Sequence, residues 1–262
     1  CRFVRLMTKN NKNRIHVLGA GAGLPDPARS APGMLLVIDG LKLLMDCGPG
    51  TFQRLAKIGI SHNDIDCISI THLHVDHCLD FISFLFASKI RQAPRTRDID
   101  VVGPEGTKLL YENACKAFKG TLDSEAYKLN IKEYEAGEFI VKGVEIDILP
   151  LAHNDASIGF RFRTRDDKVI AYSGDTEYCK NIVQLGRGAD LLILDCSFPN
   201  GQGTPGHLTP EECGQIATEA DCKKLLLTHL YPVCSKYPIK RQCAKTFSGP
   251  IVVARDFLTL DI

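Results

Sequence analysis

The segment Thr71-His72-Leu73-His74-Val75-Asp76-His77 places four side chains that can bind a transition metal within six positions, directly after the apolar run 65–70. Three of the eight histidines of the chain are here. Imidazole nitrogens with a carboxylate oxygen form a donor set that suits Zn²⁺, Mn²⁺ or Fe²⁺. Three imidazoles and an Asp crowded into one turn would be costly to bury without such a partner. Three further candidates stand where apolar segments end: His153 after Val144 to Leu151, Asp175 after Val169 to Tyr172, and His229 after Leu225 to Leu227. Any one of them alone would read as an ordinary loop residue. The same placement recurring three times beside a histidine cluster points to one shared site at strand ends.

The elements that must position these residues are legible from periodicity and turn chemistry. Residues 14–18 form a strand that runs into the glycine-rich turn Gly19 to Pro25, where bare backbone can pass close to something. Pro25, Pro27, Pro32 and Gly33 forbid a helix there, so this is no dinucleotide fingerprint. Strands at 34–38 and 41–45 meet at Asp39-Gly40, a hairpin signal. A helix is expected over 51–58, then a buried strand over 65–70, with the histidine loop after it and a helix over 79–90. A strand at 100–102, a helix to about residue 118, and strands at 129–134, 144–149, 158–163 and 168–172 follow, then a helix over 178–186 and a strand at 191–194. Thr209-Pro210-Glu211-Glu212 has the hydroxyl, proline and acids of a helix start, with the helix ending near residue 220 before a strand at 224–227. Alternating strands and helices with early hairpins predict an α/β fold with mixed sheets. No linker divides the chain, so residues 14–262 read as one domain behind a solvated extension of residues 1–13.

A length of 262 residues buries a core without staples, and 44% hydrophobic with 24% charged residues is ordinary for a soluble protein. The net charge of +1 gives no global attraction to nucleic acid or membrane. No apolar run is long enough to span a bilayer. The eleven cysteines are odd in number, scattered and free of Cys-x-x-Cys pairs, with Cys47, Cys67 and Cys196 inside apolar segments. Reduced thiols packing as small hydrophobes in the cytoplasm are therefore expected. A processed lipoprotein, which would also begin with a cysteine such as Cys1, is the minor alternative.

The order His-x-His-x-Asp-His, then a distant His, an Asp and a last His resembles the metallo-β-lactamase-fold hydrolases across residues 72–229. The resemblance implies a four-layered αββα sandwich with two divalent metal ions at one edge, zinc being favoured over Mn or Fe. By that match His72, His74 and His153 would hold one ion, Asp76, His77 and His229 the other, and Asp175 would bridge them. Asp190-Leu191-Leu192-Ile193-Leu194-Asp195-Cys196-Ser197-Phe198, followed by Gly206-His207-Leu208-Thr209, resembles the paired motifs of the ribonuclease Z-like phosphodiesterases. There His207 would be a non-ligand histidine facing the metals and Asp195 the acid that orients it; Asp76 counts among the catalytic residues as well as the ligands. That branch commonly carries Glu at the position of Asp195.

The chemistry implied is phosphodiester cleavage, in which two ions would acidify the attacking water and neutralise the phosphoryl oxygens while His207 donates a proton. The tRNA-processing members typically insert a long arm between the His and Asp motifs. Here His153 and Asp175 are only 22 positions apart, mostly two strands. Small phosphodiesters such as cyclic nucleotides or nucleotide diesters are therefore the expected substrates, and RNA is not favoured. A carbonyl hydrolase for thioesters or lactones is the runner-up, a tRNA 3′-end endoribonuclease the second alternative, and a non-enzymatic metal-binding scaffold the least favoured. Arg161, Arg163 and Arg165 alternate and are expected on the outer face of an edge strand rather than as a phosphate clamp. His16 reads as a core or edge residue and His62 as a turn residue. A homodimer, common in the family, is left open.

Overall fold

The computed structural model describes residues 12–123 and 125–262, so almost all of the expected extension lies outside the described residues. Its strands are β1 (Arg14–Gly19), β2 (Gly33–Ile38), β3 (Leu41–Cys47), β4 (Cys67–Ser69), β5 (Ile99–Gly103), β6 (Leu129–Glu133), β7 (Gly137–Val141), β8 (Val144–Pro150), β9 (Ile158–Arg163), β10 (Val169–Tyr172), β11 (Leu191–Asp195), β12 (Leu225–Thr228), β13 (Ile251–Val253) and β14 (Thr259–Asp261). The helices are α1 (Thr51–Lys57), α2 (Val75–Cys78), α3 (Asp80–Lys89), α4 (Thr107–Ala117), α5 (Lys180–Gly186), α6 (Pro210–Glu219) and α7 (Ile239–Cys243).

Two seven-stranded sheets result, ordered β14-β1-β2-β3-β4-β5-β6 and β13-β12-β11-β10-β9-β8-β7. Each is mixed: the hairpin strands pair antiparallel, whereas β3 to β6 and β10 to β13 run parallel. Alternation along the strands divides the apolar side chains into two sets. Ile15, Leu36, Leu43, Phe160, Ile170 and Ile193 point into one core between the sheets. Leu35, Leu44 and Ile68 face outward under α1 and α3, and Leu192, Leu194 and Leu227 face outward under α5, α6 and α7. The layers are therefore αββα, as expected.

Several elements differ from the sequence reading. β4 is only three residues long, and just before it the Asp66 side chain accepts hydrogen bonds from the backbone of Lys42 and from Lys142. The helix before β11 begins at Lys180 rather than 178. The strands β7, β13 and β14 were not anticipated; β13 and β14 are three residues each, too short for a pattern. β9 is not an edge strand but lies between β8 and β10, so the expected placement of its arginines is corrected. Arg161 and Arg163 face the acids of β8 instead, with Arg161 Nε 3.8 Å from Asp147 and Arg163 Nε 3.5 Å from Glu145. The ten described cysteines are all unpaired. His16 is half-buried in β1, hydrogen-bonded to Thr259, and His62 opens a short 3₁₀ turn. No helix among the described residues is long and apolar enough to cross a membrane.

Candidate metal centre

The carboxyl ends of the central strands of both sheets converge on one edge, and every expected site residue lies there. β4 delivers the His72–His77 segment, which is not wholly a loop: His74 is extended and caps α2, so Asp76 and His77 stand on a helical turn. His72 and His74 alternate along extended chain and project to one side, whereas the turn carries His77 back over them. His153 follows β8, Asp175 follows β10, Asp195 ends β11 and His229 follows β12. His229 is buried with φ 57°, a left-handed conformation that costs a residue other than glycine about 1–3 kcal/mol and is retained where function demands it.

The side chains form two groups that share one carboxylate. His72, His74, His153 and Asp175 offer ligand atoms within 4.8 Å of one another, and so do Asp76, His77 and His229. His74 Nδ1 lies 3.1 Å from His153 Nε2, and His77 Nε2 lies 3.2 Å from His229 Nε2. Asp175 divides its oxygens between the groups. Oδ2 is 3.7 Å from His72 Nε2 and 3.8 Å from His153 Nε2; Oδ1 is 3.2 Å from His77 Nε2 and 3.3 Å from His229 Nε2. Two buried atoms here, His72 Nε2 and Asp175 Oδ1, have no hydrogen-bond partner. A buried acceptor and a buried ring nitrogen left unpaired, amid nitrogen and oxygen donors, fit a divalent cation in each group.

The chain's residues 42–230 match the β-lactamase superfamily domain. This chain belongs to the metallo-β-lactamase-fold hydrolases. Over 95% of its length it is 30% identical to the uncharacterized protein ML1173 of Mycobacterium leprae, covering 88% of that protein. It is 28% identical to the ribonuclease Z of Archaeoglobus fulgidus, over 95% of this chain and 97% of that one. The fold is that of YhfI, a metallo-β-lactamase-fold protein from Bacillus subtilis, with TM-score 0.82, 23% identity and coverage of 96% and 100% of the two chains.

In this hydrolase a second layer orients the candidate ligands, and the sequence reading missed most of it. Asp46 is wholly buried at the end of β3 with φ 51°. It accepts from His77 Nδ1 at 2.8 Å, from the Tyr172 hydroxyl at 2.7 Å and from the Thr71 backbone at 2.8 Å. Its signal was an acid closing an apolar strand before Gly48-Pro49-Gly50, the same placement that marked Asp175. Gly174 has φ +60°, and a Cβ there would lie 2.5 Å from the Thr71 side chain, so only glycine lets that threonine reach Asp46. The glycine-rich turn also finds its neighbour, since a Cβ on Gly23 would lie 3.0 Å from Asp76 Oδ2.

His207 and Asp195 meet as expected, with His207 Nδ1 2.9 Å from Asp195 Oδ2. The same nitrogen lies 3.9 Å from Asp175 Oδ2, so the ring faces the centre from outside both histidine groups. Asp175, Asp195, His207 and His229 also cluster closely enough to suggest a third cation position, but a proton shared between His207 and Asp195 already accounts for that geometry. Phe198 and Tyr231 stack at 4.6 Å and meet the His207 ring edge-on, closing one side of the mouth.

Electrostatics make the protein alone a proton-loaded version of the site. Burial opposes charge on His77, yet Asp175 and Asp46 outweigh it and hold its pKa well above the usual imidazole range. Burial likewise opposes charge on His229, but Asp175, Asp195 and Asp76 raise it to about 10. Burial and the neighbouring His77 push His72 far below the usual range, so it stays neutral. Asp175, despite burial, is held well below the carboxylate range by His229 and His77. Coordination requires neutral imidazoles, so a metal must displace the protons of His77 and His229. At pH 7 uptake of Zn²⁺ is expected to release about two protons from these rings. Calorimetry in buffers of different ionisation enthalpy measures this; an apparent enthalpy independent of buffer would contradict it. His229 stabilises the metal-free protein fully below pH 6.5, and this contribution is lost as pH rises through about 10.

Proposed function

We propose that the protein is a dinuclear-metal phosphodiesterase that hydrolyses small phosphodiesters, cyclic nucleotides or nucleotide diesters among them, with zinc as the favoured ion. In this reading His72, His74 and His153 would hold one ion, Asp76, His77 and His229 would hold the other, and Asp175 would serve both. Bound ions would supply the Lewis acidity that activates water and neutralises phosphoryl charge. The observation that carries the reading is the His207–Asp195 pair, a histidine aimed at the centre without belonging to either ligand group.

A phosphodiester has a poor alkoxide leaving group, and a cationic donor beside it answers that need. Asp195 accepts a hydrogen bond from His207 Nδ1–H and leaves Nε2 free to donate. Burial opposes charge on His207, but Asp195 and Asp175 outweigh it and raise its pKa, which favours the protonated ring. Asp76 is held below the usual carboxylate range against burial by His229 and His77, and so stays anionic as a ligand. Phe198 and Tyr231 shield the donor from water on one side.

The ribonuclease Z relatives support the reaction class and keep tRNA 3′-end cleavage as a second reading. Two features weigh against it. The interval from His153 to Asp175 holds only a short loop, β9, a turn and β10, with no room for an arm. The alignment to the Archaeoglobus ribonuclease Z spans 308 positions, at least 46 more than this chain's 262 residues.

Metal analysis combined with a panel of bis-p-nitrophenyl phosphate, 2′,3′- and 3′,5′-cyclic nucleotides, precursor tRNA and a thioester tests the proposal. The expected result is two ions per chain and turnover of the small diesters. Thioester hydrolysis faster by orders of magnitude would replace it with a carbonyl hydrolase, and selective cleavage of precursor tRNA would restore the second reading.

A further inference from the structure

Two buried carboxylates hold the centre from behind, and both are wired to histidines in the same way. Asp195 takes His207 directly, at 2.9 Å, and reaches His229 only through a hydroxyl. Ser197 Oγ lies 2.6 Å from Asp195 Oδ1 and 2.8 Å from His229 Nδ1, while the direct distance from Asp195 Oδ1 to His229 Nδ1 is 3.6 Å. Asp46 takes His77 directly, at 2.8 Å, and reaches His72 through a hydroxyl too. Thr71 Oγ1 lies 2.9 Å from Asp46 Oδ2 and 3.1 Å from His72 Nδ1. Thr71 and Ser197 are both wholly buried, so no water substitutes for either hydroxyl.

Counting protons sets the direction of each relay. A neutral imidazole that offers Nε2 to a cation must carry its proton on Nδ1 and needs an acceptor there. A hydroxyl can accept from that N–H and has one proton to donate onward. Ser197 Oγ also lies 3.2 Å from the His229 carbonyl and 3.2 Å from His207 Nδ1, but the nearer and charged Asp195 oxygen takes its proton. The two chains are then His229 Nδ1–H to Ser197 to Asp195, and His72 Nδ1–H to Thr71 to Asp46.

We infer that the hydroxyls of Thr71 and Ser197 are positioning groups that fix His72 and His229 as Nε2 donors, each governing one of two metal positions. The inference rests on the two-ion reading of the centre and is independent of the substrate. Removing either hydroxyl leaves a buried histidine N–H without its acceptor; removing that of Ser197 also strips Asp195 Oδ1 of its donor, whereas Asp46 keeps His77 and Tyr172. Loss of such an outer partner typically lowers metal affinity about 10–100-fold.

The test is Cd²⁺ titration of the full chain against a competing chelator, with ¹¹³Cd NMR to distinguish the two positions. Wild type is expected to bind two ions and show two resonances. Ser197→Ala and Thr71→Val are each expected to weaken one binding step about 10–100-fold and to lose different resonances. Ser197→Thr and Thr71→Ser, which keep the hydroxyl, are expected to recover both resonances. Unchanged titrations in Ser197→Ala and Thr71→Val, loss of the same resonance in both, or conservative variants as impaired as the truncations would overturn the inference. A wild-type chain that binds fewer than two ions would instead overturn the two-ion reading beneath it.

Discussion

Asp175→Asn is expected to leave at most one tightly held ion per chain and to lower turnover by about 10³-fold or more, the upper range for a single electrostatic group. Asparagine keeps the shape and removes the charge. That charge is what both halves of the centre share, with each oxygen 3.2–3.8 Å from a histidine pair. Buried side chains cannot recruit water to replace it, so two cations would face each other across a neutral amide. Metal content after desalting, read alongside the initial rate, measures the effect. Two retained ions with near-normal turnover would remove Asp175 from the bridging role.

His207→Ala is expected to behave in the opposite way: turnover of small diesters falls about 10²–10³-fold while two ions remain bound. His207 faces the centre but gives its near nitrogen to Asp195, so its loss removes a proton donor and no ligand. The pH profile separates this role from a packing role. Because the folded environment raises the pKa of His207, its proton is kept above pH 6.5 and lost at higher pH, which sets an alkaline limb. Asp195→Asn removes the main cause of the raised pKa, so that limb should move to lower pH. An alkaline limb that stays in place in Asp195→Asn, or loss of metal in His207→Ala, would contradict the assignment.

The legible part of this molecule was the part carried by short, local patterns. His72, His74, Asp76 and His77 declared themselves by type and spacing within one turn. His153, Asp175 and His229 did so by standing after apolar runs long enough to read as strands. Asp46 obeys the same rule, yet Asp39-Gly40 and Gly48-Pro49-Gly50 around its strand made turn chemistry the simpler account. Thr71 and Ser197 carry no sequence signal of a role, because a hydroxyl beside a motif is ordinary until its partners are known. The arginines of β9 were misplaced because whether a strand lies at an edge depends on which neighbours pair on its two sides, which the alternation of its own residues does not encode.

Residue types and their order along the chain thus marked which side chains could bind a cation, and the family they resemble implied the αββα sandwich that carries them. The candidate ligands follow from donor chemistry and the α/β class from hydrophobic alternation, both local in the chain, whereas the four layers came only with the resemblance. Tertiary structure alone decided that Asp175 divides its oxygens between two histidine groups, and that Asp46 and Asp195 each stand behind one histidine directly and another through a hydroxyl. Such relations depend on distances of a few ångströms between residues far apart in the chain, 126 positions for Tyr172 and Asp46 and 152 for His77 and His229, and only the packing of two sheets fixes them.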